Sequence, residues 1–166
     1  LPNKSDIDFE GMMLSEKGQK AVGKIHELHA KGNKVLIYMG GIGPERPLEA
    51  LLSAIKETKN CKLVVLGGSS GYLQKLLDDY SDVLIYLGRF NPPEHLVVAR
   101  FADVGVLNYV SINQTQGLNA LFCAPNKIFE YTGLGLPVIA NDIPGLRFSV
   151  LSSGCGELVD YQDTKS

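Results

Sequence analysis

Lys127 and Glu130 are the charged side chains whose spacing is most informative, because they stand three residues apart at the start of a predicted helix. This spacing places them on one face of the helix. A carboxylate there can accept two hydrogen bonds from a vicinal diol such as that of ribose, and a lysine can meet a phosphate as a compact point charge. The same spacing also suits a surface ion pair, worth only about 0.2–0.5 kcal/mol. A nucleotide site and a solvated salt bridge are therefore both open at this point.

A glycine-rich segment at 40–46, GGIGPER, follows a short apolar run and leads into another predicted helix. Glycines let a backbone come close to a ligand, and the N–H groups at a helix start attract anions. Arg46 stands where the dinucleotide fingerprint has its last glycine, and no Gly-Lys-Ser or Gly-Lys-Thr follows, so neither phosphate motif is present. A cation at a helix start opposes the helix dipole, which favours a bound anion beside Arg46. A plain tight turn with a solvated arginine is the alternative.

No metal site is predicted from the histidines and cysteines. His26 and His29 stand three apart on the first predicted helix, but no third ligand lies near them in sequence. The cysteines are odd in number and widely spaced, without a zinc-binding pattern, so we interpret them as reduced thiols at Cys61, Cys123 and Cys155.

Four other residues are interpreted as mainly structural. His95 follows two prolines and a glutamate at a helix start and is expected on the surface. Asp103 stands directly before a strand and is expected to cap it. Tyr131 and Phe90 are expected to pack against the sheet rather than to stack on a ligand, although Phe90 could also edge a base.

Composition favours one globular domain over residues 1–166. Hydrophobic residues make up 45% and charged residues 20% of the chain, with a net charge of -2 and no basic block. Nucleic-acid binding is therefore not expected, since it needs a clustered positive face. No apolar run approaches the roughly 20 residues that span a bilayer, and the first residues do not resemble a secretion signal, so a cytoplasmic location is expected.

Short apolar runs alternate with amphipathic stretches along the whole chain. Near-continuous apolar runs flanked by glycines are typical of central parallel strands. Strands are predicted at 34–39, 62–66, 83–87, 104–109, 137–140 and 157–159. Helices are predicted at 14–31, 47–58, 72–80, 93–101, 125–133 and 145–151, with a polar loop at 111–124.

This alternation predicts an α/β fold, a Rossmann-like doubly wound parallel sheet of about six strands with helices on both faces. In such sheets the ligand binds in the crevice beyond the carboxyl ends of the strands. Arg46, Lys127 and Glu130 all lie in or beside the loops that follow strands, so they are the charged residues to examine. These loops are at 40–46, 67–71, 88–93, 109–127 and 141–145.

Five segments resemble, in the same order, the C-terminal domain of GT-B glycosyltransferases of the group 1 (family 4) type. Together they cover nearly the whole chain. The last is the most specific, because it joins Asn-Lys-x-x-Glu-Tyr to Gly-x-Pro-Val-Ile. The segments are YMGGIGPERPLE at 38–49, LVVLG at 63–67, VLIYLGRF at 83–90, FADVGV at 101–106 and PNKIFEYTGLGLPVIA at 125–140.

The resemblance implies that the domain binds a nucleoside-diphosphate sugar as its donor. Glu130 would hold the ribose hydroxyls, Arg46 would meet the diphosphate, and both would act in catalysis with Lys127. Arginine and lysine would supply the positive charge, so neither a metal ion nor another cofactor is implied. The remaining expected contacts are Gly40, Gly41 and Asn126 near the diphosphate and Gly88, Arg89 and Phe90 beside the base.

Two positions depart from the family pattern. The arginine that usually follows the first loop glycine is replaced by Gly41, so Lys127 or Arg89 is expected to cover that diphosphate contact. A glutamate often found eight residues before the ribose-binding one is replaced by Phe122, which leaves the sugar contacts open. Backbone amides at 123–126 are candidates to face the diphosphate instead.

The resemblance thus predicts the donor-binding half of a retaining glycosyltransferase that acts on a glycan, lipid-linked or other acceptor. The acceptor site would lie on the enzyme's own N-terminal domain, outside this sequence together with the last helices, so residues 1–166 would bind nucleotide without turnover. Polysaccharide or glycolipid assembly fits such an enzyme, with peripheral association at the cytosolic face of a membrane. Two alternatives stay open. One is a sugar-nucleotide epimerase of the same fold, and the other is a non-catalytic nucleotide-binding or interaction domain, which the changes at Gly41 and Phe122 would favour.

Overall fold

The computed structural model describes residues 11–44, 46–109 and 126–160, in which helices and strands alternate. The six strands of this part are β1 Lys34–Met39, β2 Cys61–Leu66, β3 Leu84–Gly88, β4 Val104–Leu107, β5 Val138–Asn141 and β6 Gly156–Val159. Its six helices are α1 Glu16–Ala30, α2 Glu49–Glu57, α3 Gly71–Asp79, α4 Glu94–Ala99, α5 Asn126–Gly133 and α6 Pro144–Ser153. The loop predicted at 111–124 lies outside the described residues, as does Pro125.

The described strands are all parallel and lie in one sheet in the order β3-β2-β1-β4-β5-β6. This is the strand order of the doubly wound nucleotide-binding folds, so the predicted fold class is confirmed. The order reverses direction between β1 and β4. Such a reversal opens a crevice at the carboxyl ends of the two strands, which is where ligands bind in this architecture.

Each face of the sheet packs against its own set of helices. Along β1 the side chains alternate, so that Val35, Ile37 and Met39 enter one hydrophobic core and Leu36 and Tyr38 enter the other. The first core is completed by α1, α4, α5 and α6, and the second by α2 and α3. The prediction of helices on both faces is therefore confirmed.

Two serines fix helix starts and also join neighbouring elements. Ser15 Oγ accepts a hydrogen bond from Gly18 N at 3.1 Å and so caps α1, while Ser15 N donates to Glu94 Oε1 at 2.8 Å. Ser70 Oγ caps α3 in the same way and donates to Ile42 O at 2.9 Å. The first serine ties α1 to α4, and the second ties the loop after β2 to the loop after β1.

Asp103 joins three elements at the amino end of the sheet. Its carboxylate accepts hydrogen bonds from Val35 N at 2.8 Å, Lys34 Nζ at 3.0 Å and His29 Nε2 at 2.9 Å. Partial burial acts to raise the pKa of Asp103, but these hydrogen bonds outweigh it and hold the pKa below its ordinary value. The expected structural role of Asp103 is confirmed, and His29 takes part in it.

The observed element boundaries lie within two residues of the predicted ones. The strand predicted to reach Tyr109 ends at Leu107, because Tyr109 N donates to the side chain of Asn141 rather than to a backbone carbonyl of the neighbouring strand. Helix α6 is longer than predicted and is capped at its C-terminus by Gly154, whose left-handed φ of 61° is one that glycine adopts readily.

Candidate functional site

The carboxyl ends of β1, β2 and β3 are drawn together at three glycines. Gly40 N donates to Leu66 O at 2.9 Å, and Gly67 N donates to Gly88 O at 3.1 Å. A Cβ on Gly67 would fall 1.9 Å from Gly40 O, so this close approach of two strand ends requires glycine. The glycines that follow the strands therefore allow the strand ends to pack closely, and they also lie at the edge of the sheet where a ligand is expected to bind.

Arg46 lies at the switch point, where β1 and β4 end. Its guanidinium carbon Cζ sits 5.1 Å from the centre of the Tyr109 ring, within the range of a cation–π interaction. Asn141 holds Tyr109 in place, because Asn141 Oδ1 accepts from Tyr109 N at 2.8 Å and Asn141 Nδ2 donates to Tyr109 O at 3.2 Å. The positive charge of Arg46 is thus positioned by residues at the ends of β4 and β5.

Asn108, the residue after β4, fixes the backbone next to Arg46. Its side chain is 1% exposed, and its Nδ2 donates to Pro47 O at 2.7 Å. Its Oδ1 is buried and has no hydrogen-bond partner among the described residues. Sequence reasoning placed Tyr109 and Asn141 in loops at the binding edge but gave no role to them or to Asn108, although a polar residue directly after an apolar strand was a usable signal.

Tyr131 pins helix α5 to the end of β1. Its side chain is 0% exposed, and its hydroxyl donates to Ile37 O at 3.1 Å and accepts from Met39 N at 3.0 Å. The ring covers Gly105 of β4, where a Cβ would fall 2.4 Å from Tyr131 Cγ. Burial raises the pKa of Tyr131 well above its ordinary value, so the hydroxyl stays protonated. The packing role expected for Tyr131 is confirmed, and its neighbour Glu130 is carried to the same edge.

Lys127, Glu130 and His95 form a cluster between α4 and α5, which we call the α4–α5 cluster. Lys127 Nζ donates to Glu130 Oε2 at 2.6 Å, and His95 Nε2 lies 3.8 Å from the same oxygen. The three side chains are 25%, 20% and 17% exposed, respectively. Water and salt screen ion pairs that are fully exposed. The Lys127–Glu130 pair is partly buried, so it differs from the solvated salt bridge that the spacing of the two residues alone also allowed.

His95 is more buried than expected, and the prediction of a surface histidine is wrong. His95 lies in the first turn of α4 and faces Glu130 of α5 instead of solvent. Burial lowers the pKa of His95 below its ordinary value of 6.5, and nearby Lys127 adds to this while Glu130 opposes it. The imidazole is therefore neutral at pH 7, and its Nδ1 has no hydrogen-bond partner among the described residues.

Lys17 of α1 holds the loop at the end of β3. Its Nζ donates to Arg89 O at 2.7 Å and lies 4.6 Å from the centre of the Phe90 ring. Phe90 is 7% exposed, so the packing role expected for it is confirmed. Gly88 has a φ of 87°, which favours glycine, and a Cβ there would fall 2.8 Å from Lys17 Nζ. Sequence reasoning missed Lys17, because nothing in the pattern of α1 relates it to a loop so distant along the chain.

The other expected contacts reach the same edge of the sheet. Gly41 is exposed just after β1, and its carbonyl accepts from Tyr38 Oη at 3.0 Å. Asn126 is the first residue of α5, and the side chain of Arg89 is exposed. The segment at 122–125, with Phe122 and the backbone amides considered for the diphosphate, lies outside the described residues.

An open groove of about 620 Å³, the amino-edge groove, lies at the opposite edge of the sheet. It is lined by the end of α5 and by the starts of β4, β5 and β6, including Thr132, Val104, Pro137, Val138, Cys155, Gly156 and Glu157. Among the described residues that line it, the only charged one is a glutamate, so the groove does not suit an anionic nucleotide. The positive charges that would complement an anionic nucleotide, those of Arg46 and Lys127, lie at the carboxyl edge of the sheet instead.

Within residues 11–44, 46–109 and 126–160, no group of three or more His, Cys, Asp or Glu side chains could hold a metal ion. The cysteines of this part, Cys61 and Cys155, are free thiols. Its helices include none that is both long enough and apolar enough to cross a membrane.

Several solved protein structures resemble this chain. Sucrose-phosphate synthase from Thermosynechococcus elongatus is 25% identical with a TM-score of 0.59, and the match covers 84% of this chain and 36% of that one. HepE from Anabaena, solved in complex with UDP and glucose, is 14% identical with a TM-score of 0.61, covering 88% and 40%. UDP-GlcNAc 2-epimerase from Methanocaldococcus jannaschii is 11% identical with a TM-score of 0.51, covering 88% and 42%. The chain thus spans about two-fifths of the length of these structures.

The family model of the glycosyl transferases group 1 matches residues 33–166, which is most of the chain. No curated protein sequence matches this chain. The matched region contains all six described strands and the α5 segment with Lys127 and Glu130. The chain therefore belongs to the group 1 glycosyl transferases and has the Rossmann-like α/β fold of their C-terminal GT-B domain.

Proposed function

We propose that this domain binds the nucleoside-diphosphate sugar donor of a retaining glycosyltransferase at the carboxyl ends of β1 and β4. One observation carries the proposal. A sheltered carboxylate, Glu130, and two cations, Lys127 and Arg46, are held at the edge of the sheet where this fold binds ligands. Family membership over residues 33–166 supports it independently.

Each charged residue has its own task in the proposal. Glu130 orients the nucleotide by accepting hydrogen bonds from the ribose hydroxyls. Arg46 and Lys127 face the diphosphate and neutralise the charge that develops on it as the bond to the sugar breaks. The domain then promotes transfer mainly by positioning the donor and stabilising its leaving group. The two cations take the part that a metal ion plays in other enzymes, so no metal is proposed.

The nucleotide is tested first by calorimetric titration with UDP, GDP and ADP. UDP leads the series because HepE, which shares this fold, was solved with UDP and glucose. We expect the partly exposed Gly88 and the exposed Arg89, rather than the buried ring of Phe90, to meet the base. Binding of one nucleotide supports the proposal, and binding of none of them contradicts it.

The acceptor is proposed to bind to another part of the whole enzyme, its N-terminal domain. The chain spans about two-fifths of the length of the structures that it matches, and transfer requires an acceptor held against the sugar. Residues 1–166 alone are therefore proposed to bind donor nucleotide without measurable turnover. The whole enzyme is proposed to act in the cytoplasm or peripherally at a membrane, in polysaccharide or glycolipid assembly.

A sugar-nucleotide epimerase is the second candidate. The M. jannaschii UDP-GlcNAc 2-epimerase has the same fold, and the α4–α5 cluster adds a neutral histidine beside Glu130. Both enzymes would use one nucleotide site, so nucleotide binding does not separate them. Conversion of UDP-GlcNAc by the whole enzyme without any acceptor would favour the epimerase, whereas consumption of a UDP-sugar that depends on an acceptor would favour the transferase.

Arg46→Ala is expected to lower the affinity for the bound nucleoside diphosphate by about tenfold or more, and the affinity for the monophosphate much less. A hydrogen bond to a charged group contributes about 1.5–3 kcal/mol, and each 1.4 kcal/mol is tenfold in affinity. Isothermal titration calorimetry with UDP and UMP, or the matching pair of another base, measures both changes.

The matched control for this variant is Arg100→Ala. Arg100 is an exposed arginine directly after α4, at the amino edge of the sheet, and its guanidinium carbon lies 5.4 Å from the centre of the Phe101 ring. Its loss should leave both affinities nearly unchanged. Equal losses of UDP and UMP affinity in Arg46→Ala would contradict the assignment of Arg46 to the diphosphate.

A further inference from the structure

We propose that His95 is a positioning residue for Glu130, whose carboxylate it holds through Nε2–H once Lys127 turns towards the diphosphate. The inference rests on the proposed function, because it assumes that Glu130 meets the ribose. It goes beyond that function by assigning a task to a histidine of α4, a helix that contributes no contact to the proposed donor site.

The two nitrogens compete for one oxygen. Lys127 Nζ and His95 Nε2 lie 2.6 Å and 3.8 Å from Glu130 Oε2, so the lysine holds the carboxylate. A bound diphosphate would draw the lysine away, because its ammonium group sits on a flexible stem and is attracted by the phosphate charge. A sheltered carboxylate that loses a donor is destabilised unless another donor replaces it.

His95 has the position and the protonation state to be that donor. A shift of roughly 1 Å would bring Nε2 within hydrogen-bonding distance of Oε2. Nδ1 is buried without a partner among the described residues, so a proton on Nδ1 would be an unsatisfied donor. The single proton of the neutral ring is therefore best placed on Nε2, where it faces Glu130.

The surroundings of the ring support a neutral histidine. From α5 it is faced by Glu130 and Lys127, the two charged groups that act on its pKa. Helix α1, also packed against α4, directs its capping Ser15 to Glu94, the residue before His95. Burial is the larger influence and lowers the pKa of His95, so that the ring donates one hydrogen bond without a charge.

The test compares how strongly each variant prefers UDP over 2′-deoxy-UDP, or the corresponding pair if GDP or ADP is the nucleotide that binds. The wild-type protein should prefer the ribonucleotide by about tenfold, since a carboxylate built to bind a hydroxyl rejects the analogue that lacks it. His95→Ala should reduce this preference to about twofold, because the carboxylate is no longer aligned. His95→Gln, which keeps an N–H donor at similar reach, should restore most of it.

A double-variant comparison separates positioning from a general structural effect. In a Glu130→Ala background, His95→Ala should cause no further loss of UDP affinity, because there is no carboxylate left to position. An additive loss would overturn the proposal, and so would a His95→Ala protein that keeps the full preference for the ribonucleotide. These outcomes leave the donor site standing, whereas a wild-type protein that binds neither UDP, GDP nor ADP would remove both proposals.

Discussion

Replacing Glu130 with alanine is expected to weaken the binding of the nucleoside diphosphate by roughly 100-fold. The carboxylate is proposed to accept two ribose hydroxyls, and hydrogen bonds to a charged group contribute about 1.5–3 kcal/mol each. Part of this loss is recovered, because Lys127 is released from its 2.6 Å hydrogen bond to Glu130 and can turn fully to the diphosphate. A net loss of about 3 kcal/mol corresponds to roughly 100-fold in the dissociation constant, which calorimetric titration measures.

Glu157→Ala is the matched control for this substitution. Glu157 is an exposed glutamate of β6 that lines the amino-edge groove, so the variant removes the same charge at the other edge of the sheet. Its nucleotide affinity should equal that of the wild-type protein. A Glu130→Ala protein that also binds with wild-type affinity would show that Glu130 does not meet the ribose.

Gly105→Ala is expected to destabilise the domain by roughly 3 kcal/mol, because its new Cβ would fall 2.4 Å from Tyr131 Cγ. The ring has little room to move, since it is fully buried and its hydroxyl is bonded to Ile37 O and Met39 N. For a domain of this size the midpoint of thermal unfolding should fall by roughly 6–12 °C. Displacing the ring also moves Glu130, so nucleotide affinity should decrease together with stability.

Gly23→Ala provides the control for a glycine that has no such contact. Gly23 lies exposed within α1, and an added Cβ would have no atom within 4 Å apart from the adjacent backbone of its own helix. Alanine there should stabilise the domain by about 0.5–1 kcal/mol, because it is the better helix former. Scanning calorimetry of the two variants separates the effects. If Gly105→Ala unfolds at the wild-type temperature, the account of how Tyr131 holds α5 against β4 is wrong.

The fold could be predicted because its signals are local and repeated. An apolar run such as 34–39 followed by glycines has few places in a globular domain other than a central parallel strand. The regular alternation with amphipathic stretches then leaves few topologies, since parallel crossovers are almost always right-handed. The end of β4 was harder to predict, because Asn108 and Tyr109 directly follow its apolar residues in the sequence. In the structure, however, the Asn108 side chain bonds to Pro47 O, and Tyr109 N bonds to the side chain of Asn141.

The candidate site was only partly predictable for a different reason. The spacing of Lys127 and Glu130 is a local feature of one helix, and it was visible in the sequence. The burial of His95 depends on how α4 lies against α5, and the contact of Lys17 with Arg89 O depends on how α1 lies beside β3. Such contacts join residues far apart along the chain, and no periodicity within one element records them.

The central claim is that the nucleotide binds at the carboxyl ends of β1 and β4. Mapping the amide chemical shifts of the 15N-labelled domain during titration with UDP, GDP and ADP tests it most directly. One nucleotide is expected to shift the amides around Arg46, Lys127 and Glu130 and to leave those of the amino-edge groove, such as Gly156, unchanged. Shifts centred on the amino-edge groove, or no shifts with any of the three nucleotides, would contradict it.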